Sequence, residues 1–328
     1  MAQKILVTGG TGFTGGHLCL KLAGLGHRVR AIARAPDKAA ALAKAGVEVV
    51  RGDLKDRESL VRAAGGCEVV YHIAALYRQE GVPEGEFREV NALGTQRMLE
   101  AALESGARRF VHCSTVGVHG HVREVPSNED SPYHPGDIYQ ETKLEGEKLA
   151  REFFRSRGLP GVVFRPAGIY GPGDMRFLKL FRTINSGRFR MIGSGNVFYH
   201  LTYIDDLTDG IILCGTKPGA PGNVYILGGE RYVTLRELAD TIADVLGVGI
   251  SRLRIPFAPV YAAAFLCEKL FKPLGLEPPI FRRRVDFFRK DRAFDISKAK
   301  RELGYAPRVD LREGLKRTAE WYRGQGLL

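Results

Sequence analysis

The sequence predicts an α/β protein: a doubly wound parallel sheet over residues 1–167, then a smaller, partly interleaved C-terminal lobe over 168–328, with some segments returning to the sheet. Three observations carry that reading. Strand-like apolar runs alternate with amphipathic segments through the first half of the chain. Gly9, Gly12 and Gly15 fall where the first such run gives way to the first helix. After "RPAGIYGPGD" at 165–174 the alternation loosens into helices, short strands and proline-rich turns, where a substrate pocket is expected between the two parts.

The elements follow in order. "KILVTGG" at 4–10 is a short apolar run closed by glycine, and "GGHLCLKLAGLG" at 15–26 has helical spacing. "RVRAIAR", "VEVVRGDL" and "EVVYHIAA" read as the next strands, separated by the amphipathic "DKAAALAKAG" and "DRESLVRAAGG". The long helical "FREVNALGTQRMLEAALESG" leads to the strand "RRFVHCST", and "DIYQETKLEGEKLAREFF" leads to the strand "LPGVVFRP". Six strands therefore precede residue 167. Beyond it, "NVYILGG" reads as a strand, and "TLRELADTIADVLG" and "LREGLKRTAEWYR" as helices.

The 328 residues are 44% apolar, enough for a sizeable core, and carry a net charge of +12. The charge is spread along most helices, with one dense cluster of Arg282, Arg283, Arg284, Arg289, Lys290 and Arg292. No nucleic-acid-binding module accompanies it, so nucleic acid is not an expected partner. The cluster reads as a solvated face, or as a surface for a phosphorylated ligand or for peripheral contact with an anionic membrane. Five scattered cysteines without a CxxC pair give neither a disulfide framework nor a thiolate zinc site, and fit a reducing cytoplasm. His72, His112, His119 and His200 lie in separate segments, so no metal site is expected. A strand beginning at residue 4 leaves no room for a signal peptide. The apolar run from Ile255 to Cys267 falls short of the roughly 20 residues that span a bilayer.

Glycines directly after a strand and opening a helix let backbone turn sharply against a pyrophosphate, so the first turn predicts a dinucleotide site. About 20 residues on, an acidic residue would bind the ribose of NAD; here the second strand ends in Arg34, which can pair with the 2′-phosphate of NADP. NADP is favoured and NAD kept as the alternative, as is a merely solvated Arg34 beside Asp37. Asp53, ending the third strand, can accept from an adenine amino group. Tyr139 and Lys143 are four apart on a helix and can share one small site. A nearby cation favours the phenolate, so the pair can act as a tuned acid/base.

These motifs together resemble the extended short-chain dehydrogenase/reductase family, which includes nucleotide-sugar epimerases and dehydratases, 3β-hydroxysteroid dehydrogenases and dihydroflavonol reductases. The likeness rests on "TGGTGFTG" (8–15), "GDL" (52–54), "HIAA" (72–75), "VNALGT" (90–95), "STVGVHG" (114–120), "YQETK" (139–143), "RPAGIYGPGD" (165–174), "YIDDL" (203–207) and "FDISKAKRELGYAP" (294–307). It implies a Rossmann-type fold, with Gly9, Gly12, Phe13, Thr14, Gly15, Asp53, Leu54, Ala74, Ala75, Asn91, Pro166 and Ile169 around the cofactor. It also implies Tyr139 as general acid/base, with Lys143 lowering its pKa and binding the nicotinamide ribose. Counting back from "VHG" to the family's catalytic hydroxyl falls on Thr115, with Ser114 beside it as the alternative hydroxyl and as a substrate contact. A homodimer through the helices beginning near Glu84 and Ile138 is implied as well, with Leu99, Leu103, Leu149 and Phe153 as candidates for its interface.

The resemblance leaves two small-molecule substrate classes. Where the family's sugar enzymes usually carry an arginine, this chain has Tyr199, while Arg284 stands near a second phosphate-binding position. The greasy segment from Pro256 to Phe288 would instead cover an apolar pocket through Phe265, Leu266 and Phe271. The leading expectation is an oxidoreductase acting on an apolar or mixed secondary alcohol or ketone, in the manner of a hydroxysteroid dehydrogenase or dihydroflavonol reductase. A nucleotide-sugar epimerase or dehydratase is the alternative, and a non-catalytic cofactor sensor a further one. Asp205 and Asp206 read as a helix cap.

Overall fold

The computed structural model describes residues 2–79, 81–271, 273, 276 and 278–328, apart from the side chains of 38, 283 and 284. Among these, a seven-stranded sheet is built from β1 (Lys4–Thr8), β2 (Arg28–Ala33), β3 (Glu48–Arg51), β4 (Val69–His72), β5 (Arg109–Cys113), β6 (Gly161–Pro166) and a last strand, Val224–Leu227. The order across the sheet is Val224–Leu227, β6, β5, β4, β1, β2, β3, and every pairing is parallel. Helices cover both faces, which is why β4 and β6 read as continuous apolar runs rather than alternating ones: every residue of both is buried. Successive side chains still part to opposite faces. Val7 and Val111 join the core on one side, and Leu6 and Phe110 the core on the other.

The strand order reverses between β1 and β4, and the crevice at their carboxyl ends is where a doubly wound sheet binds ligands. The long helix Ile138–Arg157 is seated beside that crevice. Its start is fixed by Asp137, whose carboxylate accepts from the Gln140 amide at 2.9 Å, and it ends at Gly158 in the left-handed conformation. Gly146 lets it lie against the π-helical turn Glu89–Leu93; a Cβ there would come within 2.4 Å of the Asn91 carbonyl oxygen.

The C-terminal half contributes the strand Val224–Leu227 to the sheet and builds short strand pairs above it, among them Gly168–Tyr170 with Leu201–Tyr203 and Phe198–Tyr199 with Val233–Thr234. Asp206 does not cap its own helix. Both its oxygens accept backbone amides of Arg308 and Val309 at 3.0 Å, fastening the C-terminal segment down. Leu99 is fully buried in the core, and Leu103 and Phe153 pack against that core while staying partly exposed. The helix Phe257–Phe271 buries only Ala264 and Glu268. Phe265 and Leu266 are exposed, with the Phe265 ring covered by Lys269 and Arg282, so they do not form the pocket cover expected of them. No helix among the described residues is long and apolar enough to cross a membrane.

Candidate active site

The turn after β1 is a cradle that side chains cannot enter. Gly9 has φ +72°, and a Cβ on it would sit 2.9 Å from the backbone of Ala74; a Cβ on Gly15 would sit 2.2 Å from the Gly9 carbonyl oxygen. Gly12 donates to that same oxygen at 2.9 Å and opens the helix α1 (Phe13–Gly24) without any side-chain cap. The first-turn amides of Phe13, Thr14 and Gly15 are thus the orphan donors of a helix start, which suits an anion. The arrangement fits the pyrophosphate of a dinucleotide.

Polar side chains lock the strand ends around this turn. The Thr8 hydroxyl accepts the Ile73 and Ala74 amides at 3.1 Å and meets His72 Nδ1 at 2.9 Å, while His72 Nε2 meets Thr95 at 3.1 Å. Thr95 gives its own proton to the Asn91 carbonyl at 2.7 Å, so Nε2 is the protonated nitrogen of a neutral ring. Asn91 exchanges hydrogen bonds with both backbone groups of Leu76 and donates to Thr142 at 3.1 Å. It fixes the loop leaving β4 to the long helix.

Over the end of β5, Lys143 is fully buried and donates to the Cys113 carbonyl at 2.5 Å. Tyr139 lies one turn earlier on the same helix, half-buried, edge-on to Tyr77 at 4.9 Å. Thr115 begins the turn after β5, and its hydroxyl accepts the Gly117 amide at 3.0 Å. Burial first of all pushes the Tyr139 phenol up, and the cation that opposes this is Arg78, whose guanidinium lies 5.6 Å from the ring centre. Lys143 is turned to the Cys113 carbonyl. Burial lowers the Lys143 ammonium itself.

Ser114 is also placed differently from expectation. It is buried, and its hydroxyl donates to Glu147 at 2.6 Å rather than facing a substrate. Glu147 in turn takes two hydrogen bonds from the fully buried Arg165, which also reaches His119, Tyr133 and the Glu129 carbonyl. This hub ties β6, the long helix and the loop after β5 together, and so sets where Thr115 and Tyr139 lie. Burial, then Arg165, lowers His119 to about 4, and burial, then Lys143, lowers His72 to about 3. The unfolded chain, near 6.5, takes protons that these folded rings refuse, so their contribution to stability is full above about 6.5 and is lost as pH falls toward 4. Urea midpoints should therefore drop between pH 7 and pH 5, and His119→Gln should flatten the slope. A midpoint independent of pH in that window would contradict this.

A layer of aromatic and arginine side chains lies against Tyr139, and local sequence signals did not reveal Tyr77, Arg78 or Arg176 in it. Arg78 stacks on Tyr77 as well as Tyr139 and pairs with Asp137 at 2.9 Å. Arg176 pairs with Asp174 at 2.7 Å, donates to the Ile169 carbonyl, and lies over the rings of Phe13 and Tyr77. Tyr199 packs edge-on to Phe287 and Phe177, with Arg292 over it. Of the remaining expected positions, Arg34 is exposed at the end of β2, and Asp53 Oδ1 accepts the Lys55 amide at 3.0 Å. Leu54 packs where a side chain on Gly94 would go, and Pro166 ends β6 opposite Leu227. Ala75 follows Ala74 on the cradle's rim. The Arg284 side chain lies outside the described residues.

The model of the NAD dependent epimerase/dehydratase family matches residues 5–228, from β1 to the last strand of the sheet. The chain is 32% identical to a 4-hydroxy-2-methyl-3-oxo-4-farnesyl-3,4-dihydroquinoline-1-oxide ketoreductase of Stigmatella aurantiaca, over 95% of both proteins. It is 30% identical to a 3-beta-hydroxysteroid dehydrogenase of Mycolicibacterium neoaurum, over 97% of this chain and 91% of the relative. Among solved structures, a UDP-glucuronic acid 4-epimerase from Bacillus cereus in complex with NAD superposes with a TM-score of 0.79 at 26% identity, covering 98% and 99% of the two chains. The glycine cradle, the sheet order and these matches agree, and the chain belongs to the NAD-dependent epimerase/dehydratase family of NAD(P)-dependent enzymes.

Proposed function

We propose that the chain transfers a hydride between a nicotinamide cofactor and the carbon of a secondary alcohol or ketone on an apolar or mixed substrate. The observation that carries this is the placing of Tyr139 and Lys143 one turn apart over the end of β5, with Thr115 two residues beyond that strand and the glycine cradle beside it. A nicotinamide held there supplies or accepts the hydride. The amides at the start of α1, with Arg176 above Phe13, would hold the pyrophosphate, and Lys143 the adjoining ribose. Thr115 accepts the Gly117 amide, which leaves its own proton for the substrate oxygen. Tyr139, kept protonated by burial, gives its proton to that oxygen as the ketone becomes an alcohol, and takes it back in the reverse direction.

The relatives named as a ketoreductase and a hydroxysteroid dehydrogenase support an alcohol–ketone couple. The nucleotide-sugar reading has less support, because the two relatives of 30% identity or more reported above are named for ketone and alcohol chemistry. Consumption of NADPH in proportion to ketone added is the expected result. Interconversion of UDP-sugars with no net change in NADPH would replace this reading with the epimerase one. A homodimer in the cytoplasm belongs to the same proposal, and light scattering at micromolar concentration checks the assembly.

NADP is the proposed cofactor, through Arg34, which has no carboxylate within ion-pair distance among the described residues. Arg34→Ala should weaken NADP relative to NAD by roughly tenfold to a hundredfold, the loss of one charge-assisted hydrogen bond. Equal losses for the two cofactors, measured by titration, would assign the choice to other residues.

A further inference from the structure

Resting on the hydride-transfer reading and deepening it, we propose that the substrate carries an anionic group, a carboxylate or a phosphate, close to the reacting carbon, and that Arg78 and Arg292 hold it. Arg292 is half-buried, yet no carboxylate lies within ion-pair distance of it among the described residues. Its guanidinium rests on the rings of Tyr199 and Phe287, 5.7 and 5.8 Å from their centres, and makes one hydrogen bond, to the Lys290 carbonyl at 3.0 Å. A guanidinium does not lose its proton in a protein, so its charge must be met by an anion, by water or by a π face. Here ring faces and one carbonyl touch it, Asp286 and Asp291 attract it from beyond ion-pair distance, and the rest of the donor fork is left for a ligand.

Arg78, over the rings of Tyr77 and Tyr139, is near enough to Tyr199 for its charge to be felt there. Its single carboxylate is Asp137, and it is close enough to Arg292 that the two positive charges disfavour each other, adding to the burial that already lowers Arg292. Asp137 pairs with Arg78, whereas Asp286 and Asp291 act on Arg292 only from beyond ion-pair distance, so an anion bound across the two arginines would complete the balance. A planar fork matches carboxylate or phosphate oxygens in pairs, which lysine could not do as well. The position also says where on the substrate the anion is. Arg78 lies over the ring of Tyr139, so an anion on it is within a few bonds of the carbon whose oxygen takes the Tyr139 proton. Tyr77, Phe177, Tyr199 and Phe287 then receive the apolar remainder. Arg176 is not part of this pair: it is turned to Phe13 and the cofactor turn.

The test uses the enzyme saturated with NADP and three probes of equal chain length: decanoate, decyl phosphate and 1-decanol. One of the two anions should bind about tenfold to a hundredfold tighter than the alcohol by calorimetry, and which one does so identifies the group. Arg78→Gln and Arg292→Gln should erase that margin without changing decanol binding, and Arg292→Lys should recover part of it. Equal binding of all three probes, or a margin that survives both glutamine variants, overturns the proposal. So does parallel loss of decanol binding, which would mark the arginines as structural. Rates with 3-oxodecanoate and 2-decanone separate this inference from the reading beneath it. Equal reduction of both ketones overturns the anion site alone, whereas an intact anion margin with no reduction of either overturns hydride transfer alone.

Discussion

Tyr139→Phe should lower turnover by about 10²–10⁴-fold while leaving cofactor affinity nearly unchanged, because it removes the proton-transferring oxygen and keeps the ring. The ring matters in its own right, since it packs edge-on to Tyr77 and lies under Arg78, so phenylalanine preserves the layer that shapes the site. Lys143→Ala is the contrasting variant. It leaves the Cys113 carbonyl without its donor, and under the proposed roles it harms cofactor binding and turnover together. Rates and cofactor dissociation constants for the two variants, measured side by side, decide the matter. Wild-type turnover in Tyr139→Phe would exclude this tyrosine as the acid.

Glu147→Ala should destabilise the fold by about 3–5 kcal/mol, since it strands the Arg165 charge in a fully buried site. The effect reaches further than one ion pair. Ser114 loses its acceptor, and Tyr133 and His119 lose the arrangement that Arg165 imposes on them. Chemical denaturation gives the size of the loss. Glu147→Gln should be milder, because the amide oxygen can still accept from Arg165. A Glu147→Ala protein as stable as the wild type would show that water replaces the carboxylate.

The sequence was informative where one local rule fixes one local structure. Gly9, Gly12 and Gly15 could be read because only glycine tolerates that approach of backbone to backbone, and strands such as β4 and β6 because burial on both faces leaves largely apolar runs. Tyr139 and Lys143 could be paired because a helix puts i and i+4 on one side. Arg165 had a faint signal, a charge inside the apolar run "VVFRP", and Glu147 lies two turns from Tyr139 on the same helical face. Arg292 was legible only as one member of the basic cluster, and nothing local announced Arg78 or Arg176. Arg78, Arg176 and Arg292 come from three distant segments and meet only through the tertiary fold. Charge in a loop reads as solvated until the structure brings an aromatic ring beneath it. Helical spacing also cannot name what a face packs against, which is why Leu99 suited a dimer on paper and belongs to the core in the fold.

The last strand of the sheet has a consequence for how the protein is made. β6 is complete at Pro166, but its outer neighbour begins only at Val224, so about 60 further residues must be synthesised before that edge is paired. At about 5–20 residues per second, the ribosome leaves the edge bare for about 3–12 s. During that time β6 offers another chain a row of unpaired backbone groups on a strand with no exposed residue in the finished protein. A chain truncated at residue 167 would be held in that state permanently, and should collect in inclusion bodies however well its cofactor turn is built.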